Sequence, residues 1–344
     1  MNILVIGGTR FIGAHAVARL AEAGHTVTVF HRGKHNADLV PDSVEHIHGN
    51  RLDLGDFREQ FLSLKVDVLL DTIAMNEQFA QTFTDTMQDV APRVVVLSSG
   101  DVYHAYDIMR GYGTGPLQEV PIREDGDLRT RLYPYRGESL RSDNDPHKHM
   151  DFYDKIPVER ILSQAFDTTI LRLPAVYGPG DHRPWGYLKK MLDGRSVILL
   201  GEETAHWRFI RGYIDDVAEA IVAATVNASA TGRIYNVGDG NYCMEREWVE
   251  SIAKAAGWKG EIQILPENKL PDHLGQLANP AQDLIYDVSR IRDELGWEHR
   301  TDLNVGLKRT VDRERENPPE EYDQSIFDYD AEDRALASAV KKDN

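Results

Sequence analysis

Three glycines near the N-terminus have the spacing of a phosphate-binding turn. Gly7, Gly8 and Gly13 follow a short apolar run and stand at the start of a helical pattern. Glycines let backbone amides approach a pyrophosphate closely, and the partial positive charge at the N-terminus of the next helix attracts the anion. The sequence therefore predicts a dinucleotide site, and the residues expected to hold the coenzyme are Gly7, Thr9, Arg10, Phe11, Ile12 and Gly13.

The residues after the second predicted strand bear on which dinucleotide would bind. Residues 27–30 are predicted to form a strand, and His31 and Arg32 follow it directly. An acidic residue there would accept a hydrogen bond from the ribose 2′-hydroxyl of NAD, whereas an arginine accommodates the 2′-phosphate of NADP. Arg10 adds another cation where a middle glycine is usual. We therefore expect His31 and Arg32 to contact NADP, and NAD stays as the alternative.

The elements that would position these residues follow from apolar periodicity. Three further runs are predicted to be buried parallel strands: residues 66–71, 93–98 and 168–173. Phe79, Phe83 and Met87 recur at four-residue spacing, which indicates a helix with a core-facing stripe, and a second helix is expected near residues 157–166. Strands that alternate with helices predict an α/β fold with a doubly wound, parallel, Rossmann-type sheet.

Composition limits the classes of partner. The chain has 344 residues, of which 41% are hydrophobic and 28% charged, enough for such a sheet and a smaller C-terminal α/β substrate lobe. Its formal charge of −17 disfavours nucleic acid and anionic membranes as partners.

With no signal sequence and no apolar run of about 20 residues, a cytoplasmic location is expected. Cys243 is the only cysteine, and His147 and His149 lack nearby thiolates, so no metal site is expected.

Several motifs together resemble the extended short-chain dehydrogenase/reductase family, in an atypical branch similar to NAD(P)-dependent epimerases and dehydratases. The turn reads Gly-Gly-Thr-Arg-Phe-Ile-Gly, Lys155 precedes Glu159 by four residues, and the other motifs lie at residues 98–103, 171–180, 213–218, 234–238, 287–291 and 294–297. The resemblance implies nucleotide-sugar or related hydroxy or keto substrates and a homodimer formed through two helices of the sheet domain.

The resemblance also implies catalytic residues. Ser99 matches the serine that binds the reacting oxygen, and Lys155 matches the lysine that orients the coenzyme ribose. The family places a tyrosine four residues before this lysine, but Asp151 stands there and Tyr153 lies only two residues away, roughly 200° around a regular helix. Pro157 favours a late helix start, which would free Tyr153 to approach the nicotinamide. Three readings stay open: Tyr153 is the acid/base, Asp151 replaces it, or the site binds a dinucleotide without hydride transfer.

The same motifs, together with the composition, predict how the chain is divided into domains. Residues 1–175 and 232–240 are expected to form the dinucleotide domain, with 104–149 inserted as a lid or contact loop. Residues 176–231 and 241–316 would form the substrate lobe, and 317–344 an acidic, loosely held tail. The residues expected to contact the substrate are Asp101, Arg183, Arg208 and Arg211, and Pro174 is expected beside the coenzyme. Phe209 stands where relatives carry an arginine, which bears on whether the substrate has a diphosphate.

Two classes of function remain at this point. The first is an NAD(P)-dependent epimerase, dehydratase or reductase with an altered tyrosine–lysine site. The second is a dinucleotide-binding regulatory or scaffold protein without turnover. RNA binding, attributed to some relatives of this branch, conflicts with the acidic charge.

Overall fold

A computed structural model describes residues 1–34, 37–275 and 277–340. Residues 341–344 of the predicted tail and Gln276 of the predicted lobe lie outside them. The main element is a seven-stranded sheet in which every neighbouring pair is parallel. In order across the sheet, its strands are β10 (Ile234–Asn236), β6 (Thr168–Leu173), β5 (Val94–Ser99), β4 (Val68–Asp71), β1 (Asn2–Ile6), β2 (Thr26–His31) and β3 (Glu45–His48). This confirms the predicted doubly wound fold.

Helices cover both faces of this sheet and alternate with its strands. The helices are α1 (Phe11–Glu22), α2 (Arg58–Ser63), α3 (Glu77–Met87), α4 (His104–Met109), α5 (Lys155–Ala165), α6 (Trp185–Leu192), α7 (Glu202–His206), α8 (Ile214–Val226), α9 (Glu245–Ala256), α10 (Ser289–Leu295), α11 (Leu303–Glu316) and α12 (Tyr329–Val340). Successive residues of a strand face opposite sides, so Ile3 joins the core of α1 and α8, while Leu4 joins that of α2, α3 and α5. Each large side chain buried this way contributes roughly 1.5–3 kcal/mol.

A smaller lobe is built from two pairs of parallel strands. β7 (Ala175–Tyr177) pairs with β9 (Arg211–Tyr213), and β8 (Val197–Gly201) pairs with β11 (Glu261–Leu265). The chain leaves the main sheet after β6 and returns to it at β10. The two parts are therefore joined beside the carboxyl end of β6.

The sequence prediction missed β3, the edge strand of the sheet. Three of its four residues are polar and only Ile47 is buried, so the segment shows no pattern long enough to indicate a strand. Ser99 consequently ends the fifth strand of the chain. Without β3, the sequence pattern places it after the fourth strand.

The prediction of a loosely held tail is wrong for residues 329–340. Residues 329–340 form α12, whose Glu332 is fully buried. The Glu332 carboxylate pairs with the buried Lys190 ammonium at 2.5 Å and with His273 at 3.1 Å. The acidic composition of this segment does not indicate that one of its carboxylates balances the charge of a buried lysine.

Candidate functional site

A cleft of about 580 Å³ lies at the carboxyl edge of the main sheet. Ligands of open parallel sheets bind at this edge, where the loops after the strands converge. The cleft is lined by residues 7–13, 30–34, 49–51, 72–73 and 97–99 and by Met75, Phe79, Tyr153, Lys155, Leu173 and Pro174. All the predicted coenzyme residues are therefore brought together here.

The glycine turn has the geometry of a phosphate cradle. Gly7 and Gly8 have φ of +97° and +81°, and a Cβ on Gly7 would lie 2.3 Å from Thr72 Oγ1. A Cβ on Gly13 would lie 2.9 Å from the Cα of Gly8. Within the described part of the chain, no side chain caps the N-terminus of α1 and its first turn holds no acid. The free amides can thus bind phosphate oxygens, and the turn fits the pyrophosphate of a dinucleotide.

Three histidines meet beside the end of β2. His31 Nε2 lies 2.8 Å from His46 Nδ1, and the Gly33 amide donates to His31 Nδ1 at 3.2 Å. Burial and the neighbours His46 and His48 lower the pKa of His31 to about 4. Because His31 is neutral near pH 7, positive charge for a 2′-phosphate would come from Arg32 and Lys34, which also line the cleft.

This histidine cluster escapes prediction from the sequence because β3 does, and the sequence predicts no metal site. The ligand nitrogens of His31, His46 and His48 lie within 4.8 Å of one another and could hold a metal ion. The Gly33 hydrogen bond to Nδ1, however, leaves a proton on the His31 nitrogen that faces His46. A metal ion would have to displace that proton.

Tyr153 reaches the cleft because α5 begins late, at Lys155. Asp154 caps α5, and Tyr153 precedes it in an extended conformation, with φ of −66° and ψ of 125°. Tyr153 and Lys155 therefore do not lie on one regular helix, and no helical rotation turns their side chains apart. The Lys155 Nζ lies 5.8 Å from the centroid of the Tyr153 ring.

Lys155 is almost fully buried at the floor of the cleft. Its Nζ donates to the carbonyl oxygens of Ala74 at 2.7 Å and Leu97 at 2.8 Å. Burial lowers its pKa to about 8, against the opposing charge of Asp71. Glu159, four residues later, instead pairs with Arg172 at 2.8 Å.

The Tyr153 hydroxyl lies beside the side chains of Ser99 and Asp101. Burial and the Asp101 charge raise the pKa of Tyr153 well above its usual value, and the nearby Ser99 hydroxyl acts in the opposite direction. A phenolate at Tyr153 is consequently costly to form.

The two acids predicted for the site lie away from the cleft lining. Asp151 is fully buried and pairs with Arg141, whose amide also donates to it at 2.7 Å. Asp101 is buried and accepts a hydrogen bond from the Tyr135 hydroxyl at 3.0 Å. Burial raises the pKa of Asp101, against the charge of Arg129.

A second cavity of about 550 Å³ lies in the smaller lobe. Of the three arginines predicted to contact the substrate, Arg183 and Arg211 line this cavity, whereas Arg208 does not and pairs with Asp283 at 2.6 Å. The Arg211 guanidinium pairs with Glu245 and lies 4.1 Å from the centroid of the Trp248 ring. The side chains present cations and aromatic faces to an anionic or planar ligand.

Sequence reasoning missed other residues that line the main cleft. They are Phe30, Gly33, Gly49, Asn50, Arg51, Thr72, Ile73, Met75 and Leu97, together with Phe79, which was assigned to the core. Most lie at or just after the carboxyl ends of β2, β3, β4 and β5. That position is the signal that could have found them once the strands were known.

Comparisons with known proteins agree with this geometry. The sequence profile described as "NAD dependent epimerase/dehydratase family" matches residues 3–108 and 139–238. The chain is 26% identical over 324 residues to the chloroplast stem-loop binding protein of 41 kDa b of Arabidopsis thaliana, covering 89% of this chain and 77% of that protein. It is 25% identical over 335 residues to a UDP-glucose 4-epimerase of Mycolicibacterium smegmatis, covering 91% and 98%.

Solved structures with the same fold include two UDP-glucose 4-epimerases. The enzyme of Thermotoga maritima, with UDP-glucose, is 20% identical with a TM-score of 0.68 and covers 93% of this chain and 100% of its own. That of Thermus thermophilus, with NAD, is 21% identical with a TM-score of 0.63 and covers 92% and 100%. Among the described residues, no helix is long and apolar enough to cross a membrane.

Proposed function

The chain belongs to the NAD dependent epimerase/dehydratase family, and from that membership we propose that it is an oxidoreductase acting on a nucleotide-sugar. The observation that carries this proposal is the convergence of Ser99, Tyr153 and Lys155 on one cleft with the glycine turn. A bound nicotinamide would supply the acceptor or donor of hydride. The chain's own residues would bind, orient and exchange a proton with the substrate oxygen.

Each residue of the cleft has a role in this proposal. The free amides at the N-terminus of α1 bind the pyrophosphate, and Lys155 orients the ribose next to the nicotinamide. The Ser99 hydroxyl binds the reacting oxygen, and Tyr153 exchanges a proton with it. Asp151, paired with Arg141 away from the cleft, is not part of the proposed catalytic set.

The coenzyme preference that we propose is NADP. Arg32 and Lys34 line the cleft at the end of β2, and no acidic side chain from residues 30–34 stands there for a ribose 2′-hydroxyl. Solved relatives contain NAD, so the choice between the two coenzymes rests on this local charge.

The substrate is proposed to occupy the cavity of the smaller lobe. Arg183 and Arg211 would face its anionic group there, although both already have acidic partners, Asp181 and Glu245. A homodimer, which the family resemblance implies, is part of the same proposal and is tested by light scattering.

A test combines coenzyme binding with turnover. Purified protein is titrated with NAD⁺ and NADP⁺ and then offered UDP- and dTDP-sugars, while the near-ultraviolet absorbance of reduced nicotinamide and the sugar products are followed. We expect binding, and conversion of at least one sugar that is lost in Ser99→Ala. Binding without any conversion would favour the second candidate.

That second candidate is a dinucleotide-binding protein without turnover. It is favoured by the similarity to a protein named for stem-loop binding and by the tyrosine displaced from its usual position before Lys155. The formal charge of −17 opposes RNA binding. A salt-sensitive mobility shift with stem-loop RNA, together with absent turnover, would support it over the enzyme.

A further inference from the structure

Resting on the proposed function, we propose that Arg129 and Arg136 are positioning residues for Tyr153. They set where its hydroxyl stands relative to the Ser99 hydroxyl. Both arginines belong to residues 109–138, the stretch between the two parts of the chain that the family profile matches. We call this stretch the inserted segment. It takes the place of the helical turn that would put a tyrosine and a lysine on one face if they stood four residues apart.

One end of Arg129 is bound to the loop that follows Ser99. The Arg129 backbone amide donates to the carbonyl oxygen of Val102 at 2.8 Å, and its Nε donates to that of Asp101 at 2.7 Å. Ser99 ends β5, and its Oγ accepts a hydrogen bond from the Asp101 amide at 3.3 Å. Arg129 therefore holds the loop that carries the proposed oxygen-binding serine.

The other end of Arg129 is bound to the residue that follows Tyr153. Both terminal nitrogens of the Arg129 guanidinium donate to the Asp154 carboxylate, at 2.7 and 3.2 Å, and both side chains are fully buried. Such a fork fixes distance and angle together, which a single hydrogen bond does not. One side chain thus joins the loop of Ser99 to the chain at Tyr153.

The same carboxylate determines where α5 begins. Asp154 Oδ1 accepts from the Ile156 amide at 2.9 Å, as an N-cap does, and Oδ2 accepts from the Tyr133 amide of the inserted segment at 2.6 Å. The backbone of an N-cap residue is extended, so the residue before it lies outside the helix. Tyr153 is that residue, and this is how its side chain comes to line the cleft with Lys155.

The inserted segment also holds the chain before Tyr153. The Arg136 Nε donates to the Asp151 carbonyl at 2.8 Å, and the Arg136 guanidinium lies 3.8 Å from the centroid of the Tyr133 ring. Tyr133 has φ of +57°, a left-handed conformation that tyrosine rarely adopts and that persists where surrounding contacts impose it. The backbone around Tyr153 is thus held at residues 151 and 154.

The proposed chemistry depends on this placement. Proton exchange requires the hydroxyls of Ser99 and Tyr153 to reach the same substrate oxygen, although the two residues lie on different loops. A misplacement of about 1 Å can lower turnover about 100-fold. Lys155 is held separately, by the carbonyl oxygens of Ala74 and Leu97. Loss of the arginine contacts should therefore lower kcat and spare coenzyme binding.

The experiment compares Arg129→Lys and Arg136→Met with the matched control Arg123→Lys in the full chain. Lysine keeps a positive charge beside Asp154 but lacks the guanidinium fork. Arg123 lies in the same segment, and its ion pair with Asp125 is two-thirds or more exposed. We measure kcat and KM with whichever UDP- or dTDP-sugar the wild type converts, and NADP⁺ affinity by calorimetry. Circular dichroism checks that each variant is folded.

We expect Arg129→Lys to lower kcat about 30-fold and Arg136→Met about fivefold, with KM and NADP⁺ affinity changed less than about twofold. Arg123→Lys should match the wild type. Wild-type kcat in folded Arg129→Lys would overturn the proposal, because charge alone would then suffice. An equal loss of NADP⁺ affinity would also overturn it, because the whole cleft would then be disturbed. Arg136→Met decides in the same way if Arg129→Lys does not fold.

A second measurement does not depend on turnover. The chain is labelled with 3-fluorotyrosine, and Tyr153→Phe identifies the fluorine NMR signal of Tyr153. We expect this signal to shift or broaden in Arg129→Lys and Arg136→Met but not in Arg123→Lys, because the ring is no longer held in one position. An unchanged Tyr153 signal in both folded variants would overturn the proposal.

The positioning role and the proposed function fail in different ways. If the wild type converts no sugar, the proposed function fails, and the fluorine signal still decides whether the two arginines place Tyr153. If the wild type converts a sugar and the folded Arg129→Lys and Arg136→Met keep its kcat, the positioning role is overturned and the oxidoreductase stands.

Discussion

At the scale of single residues, Lys155 combines burial with a charge that the proposed function requires. Its two carbonyl partners fix the ammonium group, and its lowered pKa of about 8 places its titration close to working pH. The ammonium form of Lys155 predominates below a pH of about 8 and is lost above it. A buried lysine held in this way is costly for stability, and under the proposed function its charge would contact the coenzyme ribose.

Coenzyme affinity should therefore depend on Lys155 and on pH. We expect Lys155→Met to weaken NADP⁺ binding about tenfold at pH 7, and wild-type affinity to fall as pH rises through about 8, where the ammonium loses its proton. Calorimetric titration between pH 6 and 9 measures both, with the exposed Lys308→Met as control. A wild-type affinity that stays constant over this range would argue against the ribose contact.

Arg32 should set the preference for NADP over NAD, because His31 is uncharged at neutral pH. We expect Arg32→Glu to lower NADP⁺ affinity about 10- to 100-fold and to leave NAD⁺ affinity unchanged or improved, since a carboxylate repels the 2′-phosphate and accepts from a hydroxyl. Arg292→Glu, an equal charge change at an exposed residue, is the control. Equal losses for both coenzymes would contradict a 2′-phosphate contact.

At the scale of elements, the inserted segment and the start of α5 form one unit. Local sequence patterns predicted the glycine turn and its helix correctly, and Pro157 indicated a late start for α5. The contacts of Arg129 with Asp154 and of Tyr135 with Asp101 join residues 25 and 34 positions apart. The segment that supplies them has no periodicity, so local patterns predict only a long loop there and do not identify its partners.

Removing Arg129 should destabilise this unit strongly. Arg129→Met leaves the Asp154 carboxylate buried without its cation, and we expect the free energy of unfolding to fall by about 3 kcal/mol. The control in the same segment is Arg123→Met, whose ion pair with Asp125 is two-thirds or more exposed and is worth about 0.5 kcal/mol or less. Urea unfolding compares them, and equal effects would contradict a clamp by Arg129.

At the scale of the whole molecule, acidic residues are distributed between surface and interior in a way that composition conceals. Of the 56 acidic residues, several of those in the described structure are fully buried against cations from distant segments, including Glu332 with Lys190 and Asp71 with Arg51. The fold class followed from periodicity, but these pairings depend on the finished fold. The Glu332–Lys190 pair holds the C-terminal segment against the smaller lobe, and Tyr322 and Ile326 of this segment line the cavity there.

The contact of α12 with α6 should make the C-terminal segment part of the folded lobe. Glu332→Gln removes the charge that balances the buried Lys190 ammonium, and we expect a loss of about 2 kcal/mol in unfolding free energy. Asp333→Asn, on the same helix but more than half exposed, should cost about 0.5 kcal/mol or less. Thermal and urea unfolding of the full chain measure both, and equal stabilities would show that α12 is not needed for the lobe.

The central claim is that a nicotinamide dinucleotide binds in the cleft with its phosphates on the glycine turn. Calorimetric titration of NADP⁺ and NAD⁺ into the wild type, Gly13→Ala and Gly55→Ala tests it most directly, because a Cβ at Gly13 would crowd the Gly8 backbone whereas one at Gly55 meets nothing within 4 Å. The account predicts one coenzyme per chain for the wild type and Gly55→Ala, and affinity at least about tenfold weaker for folded Gly13→Ala. Failure of the wild type to bind either coenzyme, or unchanged binding by Gly13→Ala, would contradict it.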